Sequence, residues 1–304
     1  MSRKYIIVDN VCQGDEHLVT NLTLIKFLKK IKNINNLYVS RSAQKYYLSS
    51  NIKVSIFNHL LFFRRTKLIY LTASWEILLF TTLFRRNDVI IFHNFFSFLK
   101  GKTFPSIVKR ILFNWYIKST KSKNYVLSRH ISENLNSIYD RDFKYIPLWH
   151  DLEIINNITS EVLKVDKEII VFGNIYNGKF DQIINIDVKK IIHLGKLHGQ
   201  IKVPFKSINK YLKLEDYYSY FSGAKSILVS YSNYSLTASG VLADSVALNK
   251  NIISNLNEYT LHLINEYGLN ITSLNGTKKF NNIKNEAIHS LIYKDFIKQL
   301  KQIE

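Results

Sequence analysis

Small and hydroxyl-bearing residues precede an apolar helical pattern near residue 240. The segment 231–244 reads YSNYSLTASGVLAD and follows an apolar run that predicts a strand at Ile227–Val229. Ser239 and Gly240 stand where the helix begins, so free N–H groups and the positive end of the helix dipole can receive a phosphate. Asp244 follows one turn later on the same face, where its carboxylate can accept hydrogen bonds from ribose hydroxyls. An ordinary helix cap with an exposed aspartate fits the same pattern.

A second loop with two glycines follows the predicted strand Ile169–Phe172. It reads GNIYNGK, from Gly173 to Lys179. Open α/β sheets bind ligands at the carboxyl ends of their strands, and a lysine there supplies a point charge for a diphosphate. A simple Asn-Gly turn with a solvated lysine fits the same residues.

Candidate acid and base residues lie in the first half of the chain. Gly14, Asp15 and Glu16 follow the predicted strand Tyr5–Val8. A carboxylate in this loop can deprotonate a hydroxyl if burial raises its pKa, although both acids are also suited to the first turn of a helix. His93 stands at the end of an apolar strand pattern and is a second candidate base, or a hydrogen-bonded core residue.

The sequence does not predict a metal site. Asp140 and Asp142 form an acid-x-acid string, but they precede the second strand-helix series instead of following a nucleotide-binding sheet. The histidines show no helical i, i+4 pair, and the single cysteine, Cys12, excludes both a disulfide framework and a zinc-cysteine cluster. Walker and GxGxxG loops are absent from the sequence. We therefore expect chemistry without a metal or other cofactor.

Short apolar runs alternate with helical patterns along the chain, which predicts parallel sheets covered by helices. A joint is predicted after the run Ile146–Leu148, giving domains at 1–150 and 151–284 and a closing amphipathic helix at 285–304. The predicted strands are Tyr5–Val8, Leu37–Val39, Val54–Phe57, Val89–Phe92, Tyr125–Leu127, Ile169–Phe172, Ile191–Leu194, Ile227–Val229 and Asn251–Ser254. The predicted helices include Gln44–Leu48, Leu71–Phe84, Pro105–Lys118, Leu214–Ala224, Gly240–Leu248 and Asn285–Gln302.

The segments 171–179, 214–224 and 231–254 together resemble the C-terminal half of GT-B glycosyltransferases, above all bacterial glycosyltransferase family 4. That family has a lysine loop, a Ser-Gly helix start, a following acidic residue and a final strand motif, which reads ALNKNIIS at 247–254 here. The resemblance implies an α/β fold of two doubly wound Rossmann-like domains facing across a cleft. It covers nearly the whole chain in architecture and about a third in motifs.

The resemblance also implies roles for individual residues. Lys179, Ser239 and Gly240 would contact the diphosphate of a nucleotide-sugar donor, and Asp244 its ribose. Gly14, Gly173, Tyr231 and Thr237 complete the predicted donor site. The family's paired glutamates are Leu236 and Asp244 here, which places the contact of the first glutamate with the donor sugar in doubt.

Positive charge is concentrated in the first half of the sequence. Residues 1–150 hold 24 Lys and Arg against 8 Asp and Glu, a net +16, whereas residues 151–304 hold 18 and 15, a net +3. Basic residues that alternate with aromatic runs favour an anionic membrane surface and also suit single-stranded nucleic acid. The second-domain motifs favour the membrane.

These patterns together predict a hexosyl- or N-acetylhexosaminyltransferase that uses a nucleotide diphosphate sugar, most simply a UDP-sugar. The acceptor would be a surface glycan such as lipopolysaccharide or capsule, carried on a polyprenyl diphosphate. No secretory apolar stretch follows Met1–Lys4, so we expect a cytoplasmic protein at the inner face of the membrane that does not bind nucleic acid. A nucleotide-sugar 2-epimerase and a basic nucleic-acid-binding protein stay open as alternatives.

Overall fold

The computed structural model describes residues 5–9, 17–32, 34, 37–39, 66–159, 162, 168–173, 188–197, 205–209, 212–229, 236–274 and 284–303. The chain divides into two compact units. Unit 1 comprises Met1–Leu148, Leu236–Ala238 and Asp295–Glu304, and unit 2 comprises Trp149–Ser235 and Ser239–Lys294. Among the helices in the described ranges, none is long and apolar enough to span a membrane.

Unit 1 contains a parallel six-stranded sheet whose order is β2-β1-β3-β4-β5-β6. Short apolar runs such as VIIF in β4 form these strands, and every residue of β3 and β4 is buried. Strands buried on both faces of a sheet are continuous apolar runs, which is the pattern seen here. The strand bounds are β1 Tyr5–Asp9, β2 Leu37–Val39, β3 Lys67–Tyr70, β4 Val89–Phe92, β5 Lys123–Val126 and β6 Phe143–Tyr145.

The helices of unit 1 alternate with its strands. Ser74 caps the second helix, accepting a hydrogen bond on Oγ from the N–H of Ile77, and Pro105 stands in the first turn of the third, where its missing N–H is not needed. The described helices are α1 Leu18–Lys32, α2 Trp75–Leu83, α3 Phe104–Ser119 and α4 Arg129–Ile138, with a 3₁₀ helix at Phe95–Leu99.

Unit 2 contains a second parallel six-stranded sheet, with the order β12-β11-β10-β7-β8-β9. Its core includes Ile169, Val171, Ile191 and Leu228, from the three central strands. The strand bounds are β7 Ile169–Phe172, β8 Ile191–Gly195, β9 Lys206–Asn209, β10 Ser226–Val229, β11 Asn251–Ser254 and β12 Thr272–Ser273, and the helices are α5 Leu152–Ile158, α6 Leu214–Gly223, α7 Gly240–Ala247, α8 Glu258–Tyr267 and α9 Asn285–Lys301.

Helix α9 is shared between the two units, because the division falls at Asp295 within it. In unit 1, Phe296 packs edge-on against Phe27 of α1 with ring centroids 5.6 Å apart. The carbonyl of Lys301 accepts a hydrogen bond from Lys32 Nζ at 2.9 Å, and Leu300 and Ile303 are fully buried. Residues 295–303 therefore complete the core of a unit that otherwise consists almost wholly of the first 148 residues.

The predicted fold class is confirmed: two doubly wound α/β domains and a C-terminal helix are present. Strands β2, β4, β7 and β11 have the predicted bounds, α3 is one residue longer than predicted at each end, and α9 ends one residue earlier than predicted. The helix predicted at Leu71–Phe84 is wrong at its start, because β3 and its exit turn occupy residues up to Ser74. Residues 152–158, predicted to lie in an irregular joint, form α5. The predictions at 44–48 and 54–57 lie outside the described residues.

Candidate functional site

The strand order of unit 2 reverses between β7 and β10, since β8 and β9 extend to one side of β7 and β11 and β12 to the other side of β10. Such a switch point leaves a crevice at the carboxyl ends of the two strands, where ligands of open α/β sheets bind. Gly173 follows β7 directly, Ser239 directly precedes α7, and Gly240 is the first residue of α7. These three predicted donor residues therefore lie next to this switch point, and Asp244 lies one turn further along α7.

The N-terminus of α7 is formed as its sequence predicts. Ser239 is the N-cap, and its Oγ accepts a hydrogen bond from the N–H of Leu242 at 3.3 Å. Gly240 begins the helix and is exposed. The ring of His150 lies beside it, with Cε1 4.0 Å from the position that a Cβ on Gly240 would take. An exposed glycine at a helix N-terminus offers backbone N–H groups to an anion.

Asp244 lies one turn into α7, and its carboxylate is almost fully buried at 4% exposure. Oδ1 accepts hydrogen bonds from His150 Nδ1 at 2.6 Å and from the Tyr218 hydroxyl at 2.9 Å. Oδ2 accepts one from the Tyr217 hydroxyl at 2.8 Å. A carboxylate has about four acceptor positions, so these three donors leave room for one more on Oδ2.

A side chain of α9 forms a hydrogen bond with the backbone of His150. The carbonyl oxygen of His150 accepts a hydrogen bond from His289 Nε2 at 2.9 Å. The neighbouring Trp149 stacks on the His289 ring with centroids 4.9 Å apart and contacts Tyr293 at 4.8 Å. Burial lowers the pKa of His289, which favours a neutral imidazole that donates to this carbonyl from Nε2.

The two tyrosines that reach Asp244 are consecutive residues of α6 with different surroundings. Tyr218 is fully buried, and burial together with the nearby Asp244 carboxylate raises the pKa of its hydroxyl well above its usual value. Tyr217 is half-buried and packs against Phe172 and Phe221, whose rings are stacked with centroids 4.9 Å apart. The aromatic stack fixes Tyr217 at the end of β7, so Oδ2 of Asp244 is bonded by the less buried of the two tyrosines.

The backbone of Gly173, directly after β7, lies close to Gly195 at the end of β8. A Cβ on Gly195 would lie 2.2 Å from the carbonyl oxygen of Gly173, so only glycine fits at position 195. His193 Nε2 donates a hydrogen bond to the same carbonyl at 2.7 Å, while its Nδ1 pairs with the Ser207 hydroxyl at 2.9 Å. Burial lowers the pKa of His193, in keeping with a neutral ring that donates from Nε2 and accepts on Nδ1.

In unit 1 the candidate base His93 follows β4 and is buried at 5% exposure. Its ring contacts the edge of His17 with centroids 4.8 Å apart. His17 immediately precedes α1 and follows Gly14, Asp15 and Glu16 in the sequence, which lie outside the described residues. The structure thus brings His93 against the residue that comes directly after the two carboxylate candidates in the sequence.

A buried polar cluster lies beside the switch point of the unit 1 sheet, which falls between β1 and β3. Asp9 is the last residue of β1 and is fully buried. Asn21 of α1 donates from Nδ2 to Asp9 Oδ2 at 3.1 Å and to the Thr72 hydroxyl at 3.4 Å. These contacts tie the start of α1 to the carboxyl ends of both strands.

Sequence reasoning found part of this arrangement. The structure groups Ser239, Gly240 and Asp244 as expected, with Thr237 half-buried just before them. Lys179 and Tyr231 lie outside the described residues. The donors to Asp244 were missed: His150 follows a proline-containing segment without periodicity, and Tyr217 and Tyr218 were assigned only to an amphipathic helix.

Across the described ranges, no group of three or more His, Cys, Asp or Glu side chains is arranged to hold a metal ion. Asp140 and Asp142 border a cavity of about 700 Å³ lined by basic side chains such as Lys123 and Arg141. This cavity lies next to the beginnings of β5 and β6, at the edge of the sheet opposite to His93.

No protein-family model matches this sequence, and a search of curated proteins gives no match. Solved structures do match over nearly its whole length. Anabaena HepE in complex with UDP-glucose superposes with a TM-score of 0.60 at 10% identity, covering 98% of this chain and 93% of HepE. The chain has the GT-B fold.

Other proteins with this fold and similar coverage differ in activity. A Listeria monocytogenes protein provisionally designated a UDP-N-acetylglucosamine 2-epimerase gives a TM-score of 0.55 at 9% identity, covering 100% of this chain and 92% of its own. AviGT4, a glycosyltransferase involved in avilamycin A biosynthesis, gives 0.51 at 10% identity, covering 98% and 97%. At such identities the likeness establishes the GT-B fold and leaves the activity to be argued from the site.

Proposed function

We propose that this chain is a glycosyltransferase that transfers a sugar from a UDP-sugar to a hydroxyl of a glycan acceptor. The observation that carries the proposal is the Asp244 carboxylate. It is buried, oriented by three donors, and placed one turn inside a helix that begins at the switch point of a parallel sheet. A buried carboxylate with one open acceptor position is suited to bind a ribose hydroxyl next to a phosphate-binding helix end.

The donor would bind along the carboxyl edge of the unit 2 sheet. The N–H groups at Ser239 and Gly240 receive the diphosphate, Lys179 adds a point charge, and Oδ2 of Asp244 accepts from the ribose. Gly173, whose carbonyl is held by His193, shapes the opposite side of the site. Thr237, Tyr231 and Gly14 are proposed to complete the contacts.

Catalysis would depend chiefly on stabilising the diphosphate as it leaves. Negative charge develops on the leaving group, and preorganised N–H donors with a helix dipole are a large source of such stabilisation. This mechanism requires no metal ion. If the reaction inverts the anomeric carbon, Asp15, Glu16 or His93 would remove the proton of the acceptor hydroxyl.

The choice of UDP is supported by similar structures that contain it. HepE was solved with UDP and with UDP-glucose, and Staphylococcus aureus MnaA was solved with UDP. The acceptor is proposed to be a surface glycan on a polyprenyl diphosphate, because the basic first half of the chain suits an anionic membrane surface. The enzyme would then act at the cytoplasmic face of the membrane.

Thermal unfolding with nucleotides tests the donor site. A ligand that binds only the folded protein raises the unfolding midpoint, so UDP is expected to raise it and GDP, CMP and ADP to raise it less. The shift should be lost in Lys179→Ala and retained in Lys190→Ala, because Lys190 is a half-exposed lysine of the same unit that pairs with Glu168. Absence of a shift with every nucleotide would refute the proposed donor site.

A 2-epimerase is the second candidate, since the Listeria structure with that designation shares the fold. Incubating the protein with UDP-N-acetylglucosamine without an acceptor, followed by proton NMR, separates the two activities. We expect no 2-epimer. Accumulation of the epimer would replace the transferase by the epimerase while retaining the same UDP site.

A further inference from the structure

Helix α3 of unit 1 carries apolar side chains on two opposite faces. Phe113, Tyr116 and Ile117 are buried against the unit. The other face is exposed to solvent: Phe104 is 77% and Ile111 62% exposed, and the remaining members are Ile107, Val108 and Trp115. A surface helix of a soluble domain usually places polar residues outward, so an exposed apolar face indicates an interaction site.

The exposed residues of α3 form one continuous stripe. At 3.6 residues per turn they fall within a sector of about 100°. The buried residues occupy the opposite side of the helix. The stripe therefore extends along the whole helix and is not a set of isolated surface residues.

Helix α2 packs beside α3 and extends the same type of surface. Leu79 and Leu83 are one turn apart and are 37% and 67% exposed, and Phe84, directly after the helix, is 50% exposed. We refer to the eight exposed residues as the α2–α3 face, which consists of Leu79, Leu83, Phe84, Phe104, Ile107, Val108, Ile111 and Trp115.

The charge around the α2–α3 face is mainly positive, although the exposed Glu76 lies on the same side of α2 as Leu79 and Leu83. Between Asp88 and Glu133 the sequence contains eight Lys and Arg residues and no acidic residue. Lys102 precedes α3 and Lys118 lies one turn beyond Trp115, and both are exposed. Apolar and aromatic residues bordered by cations are suited to insert into the interface of an anionic bilayer.

We propose that the α2–α3 face docks this protein onto an anionic lipid bilayer, with α3 lying in the plane of the interface. The inference rests on the membrane part of the proposed function and assigns it to particular residues. Lipid is favoured over a protein partner because the stretch between Asp88 and Glu133, which contains α3, has eight cations and no acidic residue, whereas protein interfaces are usually depleted of lysine. Docking requires neither the donor nor a catalytic residue.

Flotation of the full chain with vesicles tests this docking in the absence of nucleotide. Binding is expected to vesicles of equal parts phosphatidylglycerol and phosphatidylcholine, and to be weak for phosphatidylcholine alone or at high salt. The double variant Phe104→Ser/Ile111→Ser should lose binding by about tenfold or more. The matched control Leu261→Ser/Leu291→Ser changes two leucines of unit 2 that are 41% and 43% exposed, and it should bind like wild type.

Tryptophan fluorescence locates the contact. Trp115 is 40% exposed within the stripe, so brominated lipid should quench its emission, and the quenching should be lost in Trp115→Phe. Equal binding by wild type and the Phe104→Ser/Ile111→Ser variant would overturn the proposal. So would concentration-dependent self-association of the protein without vesicle binding, which would assign the face to a second copy of the chain.

The outcomes separate this inference from the donor site. Failure of vesicle binding with an intact UDP-induced rise of the unfolding midpoint would refute the docking face alone. Vesicle binding without any effect of UDP would refute the donor site alone. Far-UV circular dichroism and the unfolding midpoint of each serine variant verify that it is folded before its vesicle binding is compared.

Discussion

Asp244 and its three donors illustrate how a buried charge is accommodated in this protein. Removing a carboxylate from water is costly unless hydrogen bonds replace the lost solvent. His150, Tyr217 and Tyr218 supply these bonds at 2.6–2.9 Å. The same donors fix the direction of the carboxylate, which is what recognition of a ribose hydroxyl would require.

The two tyrosines provide a matched pair of substitutions. We expect Tyr218→Phe to lower the free energy of unfolding by about 1.5–3 kcal/mol, because it removes a fully buried hydrogen bond to a charged group. Tyr217→Phe should cost less than about 1 kcal/mol, since water can reach the half-buried position and the ring contacts with Phe172 and Phe221 remain.

Urea unfolding of both variants measures this difference. Equal losses in the two variants would contradict the different burial of the hydroxyls. Both substitutions remove a single oxygen atom, so packing changes do not obscure the comparison.

At the scale of single residues, the sequence predicts where a residue lies along its helix better than it predicts which residues form hydrogen bonds with it. The order of Ser239, Gly240 and Asp244 along one helix is sufficient to place them together, because helical spacing fixes local geometry. The donors to Asp244 are 94, 27 and 26 residues distant along the chain. Such contacts depend on the docking of α6 and of the segment before α5 onto α7, which periodicity in a single sequence does not specify.

At the scale of elements, the helix α7 depends on its cap. We expect Ser239→Ala to lower the free energy of unfolding by about 1 kcal/mol, because the N–H of Leu242 loses its buried acceptor. Ser239→Gly should cost only a few tenths of a kcal/mol, since glycine tolerates the cap conformation and lets water reach the N–H groups. Chemical denaturation of both variants, with UDP absent, measures the effect, and a larger loss for glycine than for alanine would contradict a capping role.

The predicted and observed elements differ where apolar runs are continuous. Strands β4, β7 and β11 are short apolar runs bounded by polar residues, so their bounds are readable from the sequence. In contrast, Leu68–Tyr70 continues through Leu71 toward the apolar helix α2, and periodicity alone cannot place the division. The cap at Ser74 marks the start of α2, and it is the signal that the prediction at Leu71–Phe84 did not use.

At the scale of the whole molecule, the chain returns to unit 1 through the end of α9. Phe296 is 2% exposed and packs on Phe27 of α1. We expect Phe296→Ala to lower the free energy of unfolding by about 3–5 kcal/mol, because it leaves a cavity in this core. The control Leu291→Ala, five residues earlier in α9 and 43% exposed, should change it by less than about 0.5 kcal/mol.

Urea unfolding followed by tryptophan fluorescence reports mainly on the affected unit, because Trp75 and Trp115 lie in unit 1 and the third tryptophan, Trp149, lies in unit 2. A loss for Leu291→Ala as large as that for Phe296→Ala would show that α9 contributes through its helical continuity and not through the buried ring.

The contribution of α9 to unit 1 also determines the order of events during synthesis. Unit 1 begins at the first residues, yet its core is complete only after residue 303 has left the ribosome. At a translation rate of about 5–20 residues per second, the roughly 155 residues after Leu148 take on the order of 10–30 s. During that interval the nascent unit 1 exposes the apolar side of α1 that Phe296 later covers, and exposed apolar surface of this kind favours aggregation.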